Sequence, residues 1–206
     1  VTSTSATASQ LTTVAGATGL NVTATAVEAI TNSSVAQVKA LLLVEGGTGD
    51  KINLDGDFTV AINDTGTVDA DDLNTINDAT SELVTATTVA TINGSAANIN
   101  TLLTNEGSSG DKVSLDNDFN ITVSDGNANV TQANAFGTAT NGVVTATISN
   151  TAVADLDGLT TANTDLLSIT MAAEAVTAAQ LITINGATGS TVDAQLVTGI
   201  TGTAAQ

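Results

Sequence analysis

Four stretches of this chain repeat one pattern, and any fold must give each of them an equivalent place. QLTTVAGATGLNVTATAV begins at Gln10, DLNTINDATSELVTATTV at Asp72, NAFGTATNGVVTATIS at Asn134 and QLITINGATGSTVDAQLV at Gln180. Leu11, Leu73 and Leu181 correspond, as do Val14, Ile76 and Ile184, and then Val22, Val84, Val144 and Val192. Self-similarity of this kind marks architectures whose units bury their apolar face only against a neighbouring unit. A second phrase, GDKINLDGDF from Gly49 to Phe58, returns as GDKVSLDNDF from Gly110 to Phe119, and accompanies the first two copies only.

A finer period lies inside the first. Apolar-alternating runs begin near Val22, Phe58, Val84, Phe119, Val144, Leu167 and Val192, at spacings of 36, 26, 35, 25, 23 and 25. The basic unit is thus about 24 residues, twice enlarged by about a dozen, and each enlargement holds the GDK phrase as an inserted loop. Within a unit the strand alternates with period two: Phe58, Val60 and Ile62 face one way, and Phe119, Ile121 and Val123, then Leu167, Ile169 and Met171, repeat the pattern. A capping-box signature follows, Thr7 to Gln10, Asp69 to Asp72 and Thr177 to Gln180, with Ser34 and Ser95 capping the intervening helical stripes.

Strand and short helix alternating at this period, with connections too long for hairpins, predict parallel strands with helical crossovers. The expected fold is an α/β repeat solenoid, a single array over 1–206 with internal units of approximately 1–57, 58–118, 119–166 and 167–206. An all-β solenoid is the alternative, since the helical stretches are rich in the poor helix formers Thr and Asn. VTGITGTAAQ at the C-terminus matches VATINGSAAN from Val89, so both ends fall inside a unit. Together with a first residue Val1 rather than Met, this reads as a processed protein, a window on a longer array, or a chain whose ends are completed by neighbours.

Composition narrows the function. The chain has no Cys, His, Pro, Trp, Tyr or Arg, three Phe and a formal charge of −18, which leaves no imidazole base, thiol nucleophile or arginine clamp. We therefore expect a non-enzyme; a hydrolase built from Asp, Ser and Lys is the residual catalytic option. Three Lys cannot form the basic surface that nucleic acid or anionic headgroups require, and no apolar run is long enough to span a bilayer. The expected partners are like subunits or neighbouring repeats, with no nucleic acid and no membrane insertion.

Divalent cations suit a surface on which Asp outnumbers Glu sixteen to five. Asp50, Asp55 and Asp57 in the first GDK loop and Asp111, Asp116 and Asp118 in the second are candidate calcium ligands, with Asp64 and Asp125 just past the following strand. The plainer reading is a solvated acidic loop in which Lys51 and Lys112 neutralise neighbouring Asp side chains. GGTGDKI from Gly46 is no phosphate loop, because Asp50 would repel a phosphate and Ile52 stands where Ser or Thr binds magnesium. A second candidate surface is made of hydroxyls. Thr23 with Thr25, Thr85 with Thr87, and Thr145 with Thr147 would each span roughly 7 Å along one side of a sheet, an array that resembles those of ice-binding β-solenoids.

The phrases VTATTVATINGSAANINTLL, VTQANAFGTATNGVVTATISNTAVADLDGL and VTAAQLITINGATGSTVDA resemble the Ala/Thr-rich repeats of very large, low-aromatic surface proteins of marine bacteria, including cyanobacteria. The resemblance covers most of the chain and implies an extracellular or cell-surface structural or adhesive role. The expected function is a repeat module of a surface layer, sheath, filament or giant adhesin, stabilised by calcium. Ligand binding through the Thr-rich face, with ice or a glycan as ligand, is the alternative.

Overall fold

The computed structural model describes residues 1–45, 51–106 and 112–203. In chain order its elements are β1 (Ser5–Ala6), α1 (Ala8–Gly16), β2 (Val22–Thr23), β3 (Ala29–Ser33), α2 (Val35–Leu42), β4 (Ile52–Asn53), β5 (Thr59–Ile62), β6 (Thr67–Asp69), α3 (Ala70–Asp78) and β7 (Val84–Thr85). There follow β8 (Thr91–Ser95), α4 (Ala96–Asn105), β9 (Val113–Ser114), β10 (Asn120–Asp125), α5 (Val130–Ala139), β11 (Val144–Thr147), α6 (Val153–Leu156), β12 (Leu166–Ser168), β13 (Ala175–Thr177), α7 (Ala178–Gly186) and β14 (Gly199–Thr201). The class is mixed α/β, so the all-β alternative is not the one adopted.

Two compact units are present, Val1–Ala90 with Thr101–Asp116, and Thr91–Asn100 with Asn117–Gln206. In the first, β1, β3, β5, β7 and β9 lie side by side, and β2 pairs with β4; in the second, β8, β10, β11 and β12 form a ladder and β13 pairs with β14. Every one of these pairs is parallel. The sequence period sets the register. Ser5 faces Ala29 and Ala175 faces Gly199, in each case one basic unit further along the chain. Where a GDK phrase intervenes the step lengthens, so that Val22 faces Ile52 and Val84 faces Val113.

The alternating residues fill the interior. Phe58, Val60 and Ile62, then Phe119, Ile121 and Val123, then Leu167, Ile169 and Met171 are all buried, and Phe136 of α5 joins the other two phenylalanines among the largest fully buried side chains. A core of otherwise small side chains leaves little room between backbones. Gly142 shows the consequence: a Cβ built on it would lie 2.2 Å from the Phe119 carbonyl oxygen, well inside van der Waals contact.

The helices start where caps allow. Thr7 with Gln10, Ser34 with Gln37 and Thr177 with Gln180 form reciprocal capping boxes. Ser95 accepts the Asn98 N–H in the same way. Asp69 departs from the expected box, since its carboxylate takes the Asp71 N–H and Asp72 does not reach back. Asp72 instead pairs with Lys39 across α2 and α3. The box of Asn129 with Gln132 on α5 carried no Ser or Thr and escaped the pattern.

Gly142→Ala should lower unfolding stability by about 1–3 kcal/mol through overpacking. Gly56→Ala, where nothing lies within 4 Å of the added Cβ, should leave it nearly unchanged. Denaturant midpoints of the two variants check the contrast.

Candidate functional site

The GDK phrases are where sequence placed a metal site. Asp50 and Asp111 lie outside the described residues. Asp55, Asp57, Asp116 and Asp118 all sit in exposed turns, and Asp55 Oδ1 accepts the Gly56 N–H at 3.0 Å. Among the described residues no three acidic side chains come close enough together to hold a metal ion. Asp64 is already engaged, its Oδ2 accepting the Val35 N–H at 2.7 Å at the start of α2.

What the phrase demonstrably supplies is backbone and core. Ile52, Leu54 and Phe58 are buried, as are Val113, Leu115 and Phe119 at the matching places. The carbonyls of Lys51 and Lys112 accept from Val22 and Val84 at 3.0 and 2.8 Å, while both ammonium groups are on exposed residues. The acidic turn then presents two carbonyls to the following segment, and a threonine takes them.

Thr80, just past α3, donates its buried hydroxyl to Phe58 O at 2.5 Å and approaches Gly56 O at 3.4 Å. Thr140, past α5, does the same to Phe119 O and Asn117 O at 2.5 and 3.3 Å. Thr188, past α7, lies 3.1 Å from both Leu167 O and Asp165 O. Each hydroxyl also accepts a local N–H, from Glu82, Gly142 and Ser190 respectively. The next amide joins in: Ser81, Asn141 and Gly189 donate to Gly56 O, Asn117 O and Asp165 O. One threonine therefore clamps the turn after its helix to an earlier strand, Thr80 to the entry of β5, Thr140 to that of β10 and Thr188 to β12. Sequence reasoning missed these residues, although the Ala-Thr pairs 17–18, 79–80, 139–140 and 187–188 stand in line within the four aligned copies.

The opposite ends of the helices are tied forward. The first N–H of α1 (Ala8) goes to Ser33 Oγ, that of α2 (Val35) to Asp64, that of α5 (Val130) to Asn150 Oδ1 and that of α6 (Val153) to Glu174 Oε1. Two of the four acceptors are carboxylates, which the positive end of a helix favours. Ser33 reaches its place because Asn32, at φ 47°, turns the strand through the left-handed region that Asn tolerates.

The hydroxyl pairs are less regular than the sequence suggested. Thr25 and Thr87 lie in turns just past two-residue strands, and only Thr145 and Thr147 share a strand. Beside them in the ladders stand Asn53 (to Thr23), Ala61 and Ser114 (to Thr85), and Thr122 and Leu166 (to Thr145).

No helix among the described residues is long and apolar enough to cross a membrane. Comparison with protein-family models, with curated proteins and with solved structures finds no match to this chain.

Thr140→Val and Thr188→Val should each cost about 1–3 kcal/mol, because they strip a donor from buried carbonyls. Thr18→Val, at the aligned place in the first copy, should stay within about 0.5 kcal/mol, since its hydroxyl donates to no acceptor among the described residues; chemical denaturation of the three variants decides. The Lys39–Asp72 pair is half-buried, open enough to solvent to be worth at most about 1 kcal/mol. The Lys39 pKa is raised, chiefly by its hydrogen bond to Asp72. Its contribution is therefore complete below the unfolded lysine value and lost as pH rises through the higher folded one. Lys39→Met should change stability in neutral buffer and converge with the parent in strong alkali.

Proposed function

We propose that this chain is a non-enzymatic extracellular structural protein, a repeat module of a surface layer, sheath, filament or giant adhesin. In this reading the parallel ladders belong to a solenoid, one array along the chain, with each strand and its following helix forming one rung. The observation that carries it is the recurring clamp: Thr80, Thr140 and Thr188 perform one task, tying a rung to the rung before it, at equivalent places in the sequence repeat. Side chains that elsewhere form sites are spent here on holding neighbours together. The resemblance of the repeats to those of large bacterial surface proteins supports the extracellular placement.

Calcium belongs to the reading as a stabiliser of the acidic turns, through Asp50, Asp55 and Asp57 in the first and Asp111, Asp116 and Asp118 in the second. A surface carrying −18 gains stability when divalent cations screen its self-repulsion. The irregular placement of the Thr pairs gives the ice- or glycan-binding alternative no added support.

An antibody to the chain should label intact producing cells without permeabilisation. Labelling confined to permeabilised cells would sink the extracellular assignment. Chelation should lower the melting temperature of the parent and have less effect on the variant Asp55→Asn/Asp57→Asn/Asp116→Asn/Asp118→Asn; equal losses would remove calcium at these turns while leaving the structural role intact.

A further inference from the structure

Six residues of the chain stand directly before Gly with a carboxyl or amide on their side chain: Asp55, Asn93, Asp125, Asn141, Asp157 and Asn185. Such a pair has a chemistry of its own. The side-chain carbonyl carbon can close a five-membered ring with the next backbone nitrogen, and Gly brings no Cβ to obstruct the approach. Closure needs that nitrogen and that carbon in contact, so the fold decides which pair reacts.

At three of the pairs the glycine amide is committed elsewhere. Gly142 donates to Thr140 Oγ1 and Gly158 to the Asp155 carbonyl, both at 3.0 Å, and Gly186 lies inside α7, where helical backbone turns its N–H to the preceding turn. Asn93 and Asp125 stand in β8 and β10, whose extended backbone sets side chains across the chain direction. Among the described residues Asp55 differs from all five: its own Oδ1 accepts the Gly56 N–H at 3.0 Å, which brings the carboxyl carbon, one bond behind, up to the nitrogen. Both residues are exposed, and nothing lies within 4 Å of where a Gly56 Cβ would be. In the second GDK phrase Asn117 takes the place of Gly56, so Asp116 is followed by a residue with a Cβ.

We propose that Asp55–Gly56 is a site of spontaneous backbone modification, at which Asp55 isomerises to isoaspartate with water as the only co-reactant. The Gly56 nitrogen bonds to Asp55 Cγ while its proton passes to Oδ1, the atom at which the hydrogen bond already points it. That oxygen takes a second proton from solvent and leaves as water, and a succinimide remains. Water then adds to one of the two ring carbonyls, and the C–N bond at that carbon breaks. Addition at Cγ restores Asp55; addition at the backbone carbonyl carbon leaves the chain running through Cβ and Cγ, with the carboxylate on Cα. Nothing is oxidised or reduced, and the mass of the chain is unchanged. The site adjoins a clamp. The Gly56 carbonyl accepts the Ser81 N–H at 2.8 Å and is approached by the Thr80 hydroxyl at 3.4 Å, so isomerisation lengthens the backbone by one atom just before a carbonyl that holds the following segment.

The full chain is incubated in neutral buffer, folded and in concentrated guanidinium, and peptide mapping with electron-transfer fragmentation gives the rate of isoaspartate formation at each pair. The ratio of folded to denatured rate removes the intrinsic difference between Asp and Asn. It should be about one or higher at Asp55 and at least about tenfold lower at the other five pairs, whose reacting atoms the fold holds out of contact. Gly56→Ala should keep the parental circular dichroism and slow the folded-state reaction at Asp55 by about tenfold, because the added Cβ hinders the nitrogen. A ratio at Asp55 as low as at the other pairs, or a Gly56→Ala rate equal to that of the parent, would overturn the proposal. None of these results bears on cell-surface labelling, by which the proposed function is judged separately.

Discussion

The ends of the short helices govern the rest of this structure. Helices of eight to ten residues such as α1, α2, α3 and α5 are marginal by themselves in water, and each leaves terminal N–H and C=O groups without an internal partner. Here those groups are satisfied in two directions. At α1, α2 and α5 the helix's own N-cap residue takes the third amide and a side chain from the following segment takes the first, and beyond α3 and α5 a threonine reaches back to an earlier strand. The first amides of α1, α2, α5 and α6 are thus satisfied only with the following segment in place.

That arrangement also explains how a chain with three Phe and no Tyr or Trp holds a defined interior. Large aromatic residues usually supply both buried area and orientation. In their place, Val, Ile, Leu and Ala supply area, and buried hydroxyls supply orientation. Ser33, Thr80, Thr140 and Thr188 are among the few buried polar residues, and each makes a cross-segment bond. Close backbone approach, as between Gly142 and Phe119, follows from the same economy of side-chain volume.

Much of the fold was legible because alternation and capping are local. Phe58-Val60-Ile62 and Phe119-Ile121-Val123 announced buried strands, and Thr7 and Thr177 announced helices, from residues a few positions apart. What stayed hidden was the bonding between segments. Thr80 and Thr140 look like any surface threonine until the strand entry on the far side of the intervening helix is laid against them. The GDK phrase shows the same limit. Its Asp side chains are conspicuous in sequence, whereas the Gly56, Phe58, Asn117 and Phe119 carbonyls that seat the clamps carry no letter of their own. Two-residue strands such as β2 and β7 likewise gave too little pattern to show that Thr25 and Thr87 fall in turns.

The distribution of charge bears on how such segments find the right neighbour. Carboxylates at Asp64 and Glu174 are fixed at helix starts by hydrogen bonds, while those of Asp55, Asp57, Asp116 and Asp118 face solvent in the turns. With three cations against twenty-one acids, Coulomb attraction cannot be what selects one pairing of surfaces over another. Selectivity must come from register: a strand displaced by one residue turns its apolar set to the wrong face and carries Thr80 or Thr140 away from its carbonyls. Repulsion then adds to specificity, because a mispaired contact forfeits the clamp and still bears the full electrostatic cost of bringing like charges together.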